Sequence, residues 1–473
     1  MSGPSRGGAS RFRRPSWTGR RVLVLGAGVS GLAAVRALNR AGAHVLVADE
    51  RTDDLADVLA AAGLAEPSMV GAIGMPDQLP DVDLVLATPG APPSHPLLVA
   101  AGRAGLEIIS EPELAWRLRD PDGAPWLVVT GTNGKTTTVG MLEALLLAGG
   151  LASIATGNIG LPLVDVVTGP QPYDVLAVEL SSFQLHRAPT IAPQAAAVLN
   201  VAPDHLDWHG SMTAYAAAKK VVFDRSAIAV FNRDDEWSCR LAAGHAHPIG
   251  FSLDPPAPGE LGVADGVLLD RAYGEGVELA RVEDVPVTGQ HNVANALAAA
   301  ALARSVGIAA SAVADGLRSY RPGPHRNALI STVDGVDYVD DSKATNPHAA
   351  RASLSDYADV VWIAGGLLKG AEIDDLVIAV RDRLRAVVLL GADRAVIGRA
   401  LARHAPEVPV VEVSNGDDGA MVEVVREAAS RARPGSTVLL APAAASMDMF
   451  VNYVARADAF ARAVRGLPGR RAQ

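Results

Sequence analysis

Apolar residues along the chain form short continuous runs that alternate with segments of helical spacing. The first run, RVLVL at 21–25, precedes a glycine-rich turn at 26–31, a helical segment (LAAVRALNRAG) and a second run, HVLVADE. Continuous apolar runs of this length are typical of parallel strands buried on both faces. The order predicts an α/β domain, which continues through the strand VDLVLATPG, the helix LLVAAGRAG and a helix over 111–120.

The same alternation restarts twice. A second domain is predicted from WLVVT at 126–130, with further strands at 175–180, 195–201 and 227–232. Residues 250–290 are rich in Gly, Pro and Asp, which predicts a small antiparallel excursion, and a helix is expected from Asn292 to about Ser305.

A third domain is predicted after Pro322, Gly323 and Pro324, which mark a boundary. Its predicted strands are VDYVDD, DVVWIAGG, AVVLLG, PVVEV and TVLLAP. The predicted fold class is therefore α/β with three consecutive doubly wound, Rossmann-like domains. We place the domains at 19–120, 121–322 and 323–473, after a disordered basic extension at 1–18.

Composition and charge exclude several classes of protein. The chain has 473 residues, 49% of them hydrophobic, and a single cysteine, Cys239, so global disorder, a disulfide framework and a thiolate zinc cluster are excluded. The first 21 residues contain six arginines and no acid; subtracting +6 from the net charge of −10 leaves about −16 for the rest. A body this acidic is a poor nucleic-acid binder. Without a signal peptide or an apolar run of 18 residues, we expect a cytoplasmic protein without membrane insertion. We also expect the protein to be a monomer.

A candidate phosphate-binding loop follows the strand at 126–130. It reads GTNGKTT at 131–137 and leads into a helix, so backbone N–H groups and the helix N-terminus face the same anion. In such loops the lysine, here Lys135, reaches the outer phosphates and the hydroxyl, here Thr136, binds Mg²⁺. The loop is a shorter variant of the common P-loop, because Val129 occupies the position of its first glycine. The alternative is an ordinary glycine-rich turn.

Two further strand ends carry candidate metal ligands. Glu179 is placed to hold Mg²⁺, although the segment taken alone favours an acid at a helix start beside a serine cap. The cluster Asp204, His205, Asp207 and His209 is compatible with a zinc or magnesium site, or with a helix start beside solvated side chains. Lys219 has a lysine neighbour on a helix, a pattern typical of a surface.

Side-chain amides and cations mark the remaining candidates. Asn292 and Asn295 share a helix face suited to reading a base or ribose, unless Asn292 only caps the helix. Polar and cationic residues at 325–326, 340–347, 365–370 and 442–450 follow the linker or strand ends of the third domain. The carboxyl edge of an open α/β sheet is the usual binding edge, so we expect the three strand-end segments to share a cleft.

Taken together, these segments resemble the Mur ligases, ATP-dependent enzymes that build the peptide of the bacterial cell wall. The resemblance covers nearly all of residues 20–465 and is carried by GTNGKTT, TGNIG, ELSSFQL, DHLDWHG, YAAAK, GQHNVANALAA, PHR and DDSKATN in that order. Within the family, GAGVSGLA with ATPG, and PAAASMDMFVNYVARADAF, are similar to the member that adds D-glutamate to UDP-N-acetylmuramoyl-L-alanine. The resemblance implies that reaction, through an acyl phosphate, in peptidoglycan precursor synthesis.

The resemblance also implies roles for individual residues. Mg²⁺, at two sites, would be held by Thr136, Glu179, His205 and Lys219, the last carbamylated by CO₂. The residues implied in catalysis are Lys135, Asn158, Glu179, His205, Lys219 and Lys343. ATP would be bound by Gly131, Thr132, Asn133, Gly134, Lys135, Thr136, Thr137, Asn292, Asn295, Arg326 and Asp341. The UDP substrate would be bound by Ser30, Asp49, Glu50, Gly90, Asn158, Ser181 and His205, and D-glutamate by Lys343, Thr345, Lys369, Ser446 and Tyr453.

The chain departs from the family pattern at Leu367, Ala444 and Tyr453, all near the implied D-glutamate site. These departures concern substrate contacts and not the reaction. Binding three substrates on three domains also implies domain closure that excludes water from the acyl phosphate, with hinges near Asp120 and Pro322.

Three other functions compete with this one. A ligase of the same family with another amino acid would differ in the C-terminal domain. A nicotinamide-dependent oxidoreductase would use the turn at 26–31 but leave residues 130–219 unexplained. A non-catalytic nucleotide-dependent scaffold would not require Lys135, Glu179, His205 and Lys219 together.

Overall fold

The structure is a computed structural model that describes residues 16–50, 55–62, 70–72, 78–287, 289–323, 325–414 and 419–469. These residues form two compact units. The first comprises the described residues up to Val128 with 151–194 and 224–227, and the second comprises 129–150, 195–223 and the described residues from Ile228 onward. Most of the predicted basic extension at 1–18 lies outside the described residues, while Trp17 within it is only 6% exposed. The predicted domain boundaries at 120 and 322 do not coincide with this division and remain predictions.

The N-terminal sheet is parallel in all its described pairings, with strand order β3-β2-β1-β4-β5. Its strands are β1 (Arg21–Leu25), β2 (His44–Ala48), β3 (Val70–Ala72), β4 (Leu84–Ala87) and β5 (Glu107–Ile109). The helices are α1 (Val29–Arg40), α2 (Leu55–Ala61), α3 (Pro96–Arg103) and α4 (Glu111–Leu118). The strand order reverses between β1 and β4, so the turns after these two strands flank the crevice where ligands bind in such sheets.

The central sheet has the order β14-β13-β12-β11-β10-β9-β6-β8-β7 in the described part of the chain. Its strands are β6 (Trp126–Thr130), β7 (Ser153–Gly157), β8 (Val175–Glu179), β9 (Ala195–Val198), β10 (Ile228–Asn232), β11 (Pro248–Phe251), β12 (Glu260–Ala264), β13 (Val267–Asp270) and β14 (Val277–Arg281). The β12–β13 and β13–β14 pairs are antiparallel, which confirms the predicted excursion. The loop after β6 lies where the strand order reverses.

The helices that accompany this sheet are α5 (Lys135–Ala148), α6 (Leu163–Thr168), α7 (Ser182–Leu185), α8 (Leu206–His209), α9 (Met212–Asp224), α10 (Glu236–Ala242), α11 (Gln290–Ser305) and α12 (Ala310–Ser319). Helix α11 is buried over most of its length and packs on α5. The helix that carries the candidate phosphate loop is therefore fixed from behind.

The C-terminal sheet has the order β15-β16-β20-β17-β18-β19. Its strands are β15 (Ala328–Val333), β16 (Val336–Asp340), β17 (Val360–Gly365), β18 (Leu384–Leu390), β19 (Val410–Glu412) and β20 (Thr437–Leu440). The helices are α13 (Pro347–Ser355), α14 (Asp374–Val380), α15 (Arg394–His404), α16 (Ala420–Ala429) and α17 (Tyr453–Arg465). Strand β15 pairs antiparallel with β16, and the other described pairs are parallel.

Strand β17 shows why these runs are apolar throughout. Val360 and Trp362 pack into one hydrophobic cluster, and Val361 and Ile363 pack into another on the opposite face. Both faces of the sheet are covered, which is the doubly wound arrangement that continuous apolar runs predict. The predicted fold class, three α/β domains in series, is confirmed. No helix among the described residues is both long enough and apolar enough to cross a membrane.

Candidate functional site

The loop between β6 and α5 has the backbone of a phosphate-binding turn. Gly134 is the residue before α5 and has a φ of 87°, a conformation that favours glycine. A Cβ at this position would lie 2.4 Å from Oδ1 of Asn295. A larger residue would therefore be strained in its backbone and would displace the Asn295 side chain.

Two ammonium groups converge on the carbonyl oxygen of Gly131. Lys135 Nζ donates to this oxygen at 2.9 Å, and Lys219 Nζ donates to it at 2.8 Å. Lys135 Nζ also donates to the carbonyl of Thr132 at 2.9 Å. Two cations at the mouth of a turn whose N–H groups open into a helix make a strongly anion-attracting site.

Lys219 is buried, although its position beside another lysine on a helix is typical of a surface residue. Lys219 is 1% exposed and its Nζ lies 4.4 Å from the centroid of the Tyr215 ring, whereas its neighbour Lys220 is exposed. Burying a lysine side chain is costly without compensating partners. Lys219 is therefore not a surface lysine, and its ammonium lies at the candidate phosphate loop.

The remaining loop side chains hold the loop in shape. The Thr132 hydroxyl accepts a hydrogen bond from Ala202 N–H at 2.9 Å and lies 3.1 Å from the Tyr215 hydroxyl. Asn133 N–H donates to Asn200 Oδ1 at 2.9 Å, and Asn200 Nδ2 donates back to the Asn133 carbonyl at 3.1 Å. Sequence reasoning gave Asn200 and Tyr215 no role, because these contacts join segments about 70 residues apart.

The predicted nucleotide-binding residues behind the loop form two polar pairs, Asn292 with Asn295 and Arg326 with Asp341. Asn292 and Asn295 are buried, and Asn295 Nδ2 donates to Asn292 Oδ1 at 3.2 Å. Helix α11 starts at Gln290 after Gly289, so Asn292 lies inside the helix and is not its cap. Arg326 Nη1 donates to Thr137 Oγ1 at 3.2 Å. Burial raises the pKa of Asp341 to about 6, although Arg326 favours its charged form.

His205 is held in an unusual backbone conformation beside Asp204. Its φ is 54°, its N–H donates to Asp204 Oδ1 at 2.9 Å and its Nε2 lies 3.6 Å from Asp204 Oδ2. Burial lowers the pKa of His205 to about 4; Asp204 opposes the shift, while Lys369 and two other lysines add to it. The imidazole is therefore neutral at neutral pH, the form that binds a metal.

The cluster of Asp204, His205, Asp207 and His209 is not a metal centre. Over the described ranges, no three His, Cys, Asp or Glu side chains are grouped closely enough to hold an ion. Asp207 and His209 lie on the short helix α8 (Leu206–His209), while Asp204 and His205, whose side chains lie 3.6 Å apart, precede it. The zinc interpretation was therefore wrong.

The three predicted strand-end segments of the C-terminal domain lie side by side. Strand β20 lies between β16 and β17 in the sheet, so the segments at 341–346, 442–446 and 366–370 leave the same edge. Leu367 and Ala445 exchange backbone hydrogen bonds of 2.8 and 2.9 Å, which fixes two of the segments together. The three segments share one sheet edge, as the predicted cleft requires, and the cleft itself stays a prediction.

The residues predicted to bind D-glutamate lie on or next to this sheet edge. Lys343 Nζ lies 4.1 Å from the centroid of the Tyr453 ring, and Ser446 is buried. His325 Nδ1 lies 2.7 Å from Asp340 Oδ2, and its ring meets that of Tyr453 edge-on at 6.4 Å. Thr345 and Lys369 lie on the neighbouring segments, and Lys369 has a left-handed φ of 52°. Such backbone strain concentrates at functional sites.

Arg456 organises this edge, and sequence reasoning did not find it. The side chain is 1% exposed. Its Nε donates to Ser342 Oγ at 3.0 Å, its Nη2 to the Ser342 carbonyl at 2.9 Å and its Nη1 to the Ala444 carbonyl at 3.0 Å. One guanidinium thus links two of the three segments, because its five donors spread in a planar fork.

Glu179 and Asn158 form a pair within the first unit. Glu179 is the last residue of β8 and is buried, and its Oε1 accepts from Asn158 Nδ2 at 2.9 Å. The acid therefore ends a strand and does not start a helix. Helix α7 begins only after Ser181, which caps it: the Ser181 hydroxyl accepts a hydrogen bond from Gln184 N–H at 3.3 Å.

The glycine-rich turn of the N-terminal domain carries a carboxylate at its backbone. Asp49 Oδ2 accepts from the N–H of Ala27 at 2.7 Å. Ser30 lies in the first turn of α1, while Glu50 and Gly90 are exposed after β2 and β4. The four predicted UDP-binding residues of this domain thus lie at the carboxyl ends of β1, β2 and β4.

Comparison with known proteins identifies the family. The chain matches the Mur ligase MurD-like N-terminal domain at residues 20–110, the Mur ligase middle domain at 129–303 and the Mur ligase glutamate ligase domain at 325–444. The chain belongs to the Mur ligase family.

Individual members of the family resemble this Mur ligase over nearly its whole length. The UDP-N-acetylmuramoylalanine–D-glutamate ligase of Thermobifida fusca is 56% identical over 95% of this chain and 99% of its own. The enzyme of the same name from Streptomyces avermitilis is 53% identical over 96% and 99%. The solved UDP-N-acetylmuramate–alanine ligase of Thermotoga maritima is 19% identical, with a TM-score of 0.58 over 94% of this chain and 99% of its own, which supports the fold alone.

Proposed function

We propose that this Mur ligase joins D-glutamate to UDP-N-acetylmuramoyl-L-alanine in an ATP-dependent reaction of peptidoglycan precursor synthesis. The observation that carries the proposal is the identity of 56% over nearly the whole chain with a ligase of that name. The structure supports it with a lysine-lined phosphate loop and a polar edge that carries Lys343 and Lys369. We also propose that the enzyme is a cytoplasmic monomer that binds no nucleic acid, given its acidic body.

The reaction has two stages. A carboxylate oxygen of the L-alanyl group attacks the γ-phosphorus of ATP, the bond from that phosphorus to the ADP oxygen breaks, and an acyl phosphate forms. The amine nitrogen of D-glutamate then attacks the acyl carbon, the bond between this carbon and the phosphate oxygen breaks, and the nitrogen loses a proton. The products are the amide, ADP and phosphate.

The first stage takes place at the phosphate loop. In the proposal Lys135 leaves the carbonyls of Gly131 and Thr132 to neutralise charge on the transferring phosphoryl group. Residues 131–137 cradle the phosphates, while Asn292, Asn295, Arg326 and Asp341 bind the rest of the nucleotide. Their support is position: Asn295 lies against Gly134 and is bonded to Asn292, while Arg326, which favours the charged form of Asp341, donates to Thr137.

The metal ligands proposed are Thr136, Glu179, His205 and a carbamylated Lys219, for two Mg²⁺ ions. Hydroxyl and carboxylate oxygens suit Mg²⁺, and a neutral His205 is able to bind a metal. The ammonium of Lys219 does not fit a cation site, but its carbamate does. The ammonium first loses a proton, and the neutral Nζ then bonds to CO₂ with loss of a second proton, which gives an anionic oxygen ligand. When bound, Mg²⁺ supplies charge neutralisation at the phosphates.

The second stage uses the C-terminal edge. Lys343 and Lys369 supply positive charge for the two carboxylates of D-glutamate, and Thr345, Ser446 and Tyr453 supply hydroxyl groups. On the other substrate, Ser30, Asp49, Glu50 and Gly90 are proposed to hold the uridine diphosphate. Asn158, Ser181 and His205 are proposed to hold the muramoyl end.

The test is phosphate release by the purified protein with Mg²⁺, ATP and UDP-N-acetylmuramoyl-L-alanine. D-glutamate is compared with L-glutamate, meso-diaminopimelate, L-lysine and L-alanine. We expect release that requires D-glutamate, with a product heavier by one glutamyl residue. Release with a different amino acid would retain the family and overturn the assigned substrate.

A further inference from the structure

Asn346 joins three segments that the proposed reaction needs together. It is 5% exposed and precedes α13. Its amide contacts the phosphate loop through Asn133, the His205 loop through Asp204 and the first turn of α13 through Ala349. Lys343 and Thr345, proposed for D-glutamate, lie within three residues of Asn346 on the same segment.

The contact with the phosphate loop is reciprocal. Asn346 Nδ2 donates to Asn133 Oδ1 at 3.0 Å, and Asn133 Nδ2 donates to Asn346 Oδ1 at 3.3 Å. The backbone of Asn133 is itself clamped on both sides by the Asn200 side chain. The amide pair therefore connects a fixed point of the phosphate loop to the amino-acid segment.

The remaining capacity of the Asn346 amide is also used. Nδ2 donates to Asp204 Oδ2 at 3.2 Å, and Oδ1 accepts from Ala349 N–H at 2.9 Å. A side-chain amide has two donor hydrogens and an oxygen with two lone pairs, so these four hydrogen bonds fill it. No polar atom of Asn346 is left for a substrate, which distinguishes it from a binding residue.

We infer that Asn346 is a positioning residue that couples the nucleotide-binding loop to the D-glutamate segment. The inference rests on the proposed function. The acyl phosphate forms at the phosphate loop, and the amine must be delivered to it from the segment that holds Lys343. The amide pair sets the distance between the two, so nucleotide in the loop favours the arrangement that binds D-glutamate. By linkage, D-glutamate favours nucleotide binding equally.

Two substitutions separate this role from ordinary helix capping. Asn346→Ser keeps a side-chain oxygen that caps α13 but removes the bridge to Asn133 and Asp204; Asn346→Ala removes both. We expect both variants to raise the KM for D-glutamate about tenfold, within the usual range of coupling between sites. The KM for the UDP substrate stays within twofold of the wild-type value, and Asn346→Ala melts at a lower temperature than Asn346→Ser because it also loses the helix cap.

The same variants are tested by binding. Calorimetry compares the affinity for D-glutamate with and without a non-hydrolysable ATP analogue, in the presence of UDP-N-acetylmuramoyl-L-alanine. We expect the analogue to tighten D-glutamate binding about tenfold in the wild-type protein and to have no such effect in Asn346→Ser. Wild-type D-glutamate KM and full coupling in Asn346→Ser would overturn the inference and leave a capping role only.

A double-mutant cycle makes the assignment specific to the amide pair. If the bridge carries the coupling, adding Asn133→Ser to Asn346→Ser raises the D-glutamate KM no further than the larger single effect. Independent, additive effects would contradict the bridge. If the wild-type enzyme instead uses another amino acid, the proposed function fails, and the coupling is measured with that amino acid.

Discussion

Two glycine-rich turns, each directly after the first strand of a sheet, look alike in sequence and differ in charge. In the turn after β1, a backbone N–H is held by a carboxylate, that of Asp49. In the turn after β6, a backbone carbonyl is held by two ammonium groups, those of Lys135 and Lys219. A glycine pattern thus predicts a tight turn, but the side chains that reach the turn from distant elements decide whether it attracts an anion.

The same difference in charge appears elsewhere in the two units. In the first unit, Glu111 is also held by a backbone N–H, that of Val164, at 2.7 Å. In the second unit, Lys369 adds to the positive potential at His205. Phosphoryl transfer is therefore expected at the second turn, while the first turn serves substrate binding.

The largest expected effect comes from removing the ammonium group of Lys135 at the second turn. Lys135→Ala is expected to lower the rate of D-glutamate-dependent phosphate release by about 10²–10³-fold, the usual result of removing one group that stabilises transition-state charge. The control is a variant of the first turn. Asp49→Asn is expected to change the kcat of phosphate release by less than about tenfold, because Asp49 is not proposed to contact the phosphates of ATP. Equal losses of kcat in both variants would contradict the comparison.

Lys219 and Lys220 provide a matched pair of adjacent lysines, one buried and one exposed. Lys219→Ala is expected to lower kcat about 10²-fold, because the buried group is proposed to become a ligand at the phosphates. Lys220→Ala is expected to retain wild-type kcat, since it is a surface change. Steady-state assays of phosphate release measure both, and half of the wild-type kcat in Lys219→Ala would refute the assigned role.

The buried carboxyl group of Glu111, in the first unit, is expected to make stability depend on pH. Burial raises its pKa to about 7 from about 4.5, so the folded state binds this proton more tightly than the unfolded state. Stability should fall as pH rises from about 4.5 to 7, by up to about 3 kcal/mol for this group. Glu111→Gln should lose that slope, which urea unfolding at pH 5, 6, 7 and 8 measures. An unchanged slope would show that another group titrates.

The smallest expected effect is on stability, when one glycine of each turn is replaced by alanine. Gly134→Ala is expected to cost about 1–2 kcal/mol of stability, because its φ is 87° and the added Cβ meets Asn295. Gly28→Ala should stay within about 0.5 kcal/mol, since nothing lies within 4 Å of its Cβ position and its φ is −77°.

Calorimetric ATP binding adds a second readout, because only Gly134→Ala is expected to weaken it. If the two alanine variants matched in both stability and ATP affinity, the two turns would be equivalent.

Much of the fold was predictable because the strands that form the sheet centres are continuous apolar runs. Strand β1 and strand β6 were predicted at both ends. Strand β7 (SIATG) was missed, since most of its residues are only partly buried and its pattern is not apolar. Strand β15 was missed as well: it lies at an antiparallel sheet edge and exposes Leu329.

The candidate site was predictable where its residues are contiguous in sequence. It was not predictable where a residue's role depends on contacts with residues far away in the chain. The phosphate loop was recognisable from 131–137 alone. Asn346 stood within the motif DDSKATN but received no role, since its partners are about 140 and 213 residues away. Arg456 lies on helix α17, and an arginine on a helix is normally exposed. Burial of Lys219 and not Lys220 depends on how α9 is turned against the loop.

The most direct test of the account follows the oxygen atoms of the substrate carboxylate. UDP-N-acetylmuramoyl-L-alanine labelled with ¹⁸O in both carboxylate oxygens is incubated with the enzyme, Mg²⁺, ATP and D-glutamate, and both products are analysed by mass spectrometry. The account predicts that the released phosphate carries one ¹⁸O and that the glutamyl product keeps the other. Unlabelled phosphate, with the second ¹⁸O found in AMP or in water instead, would contradict ligation through an acyl phosphate.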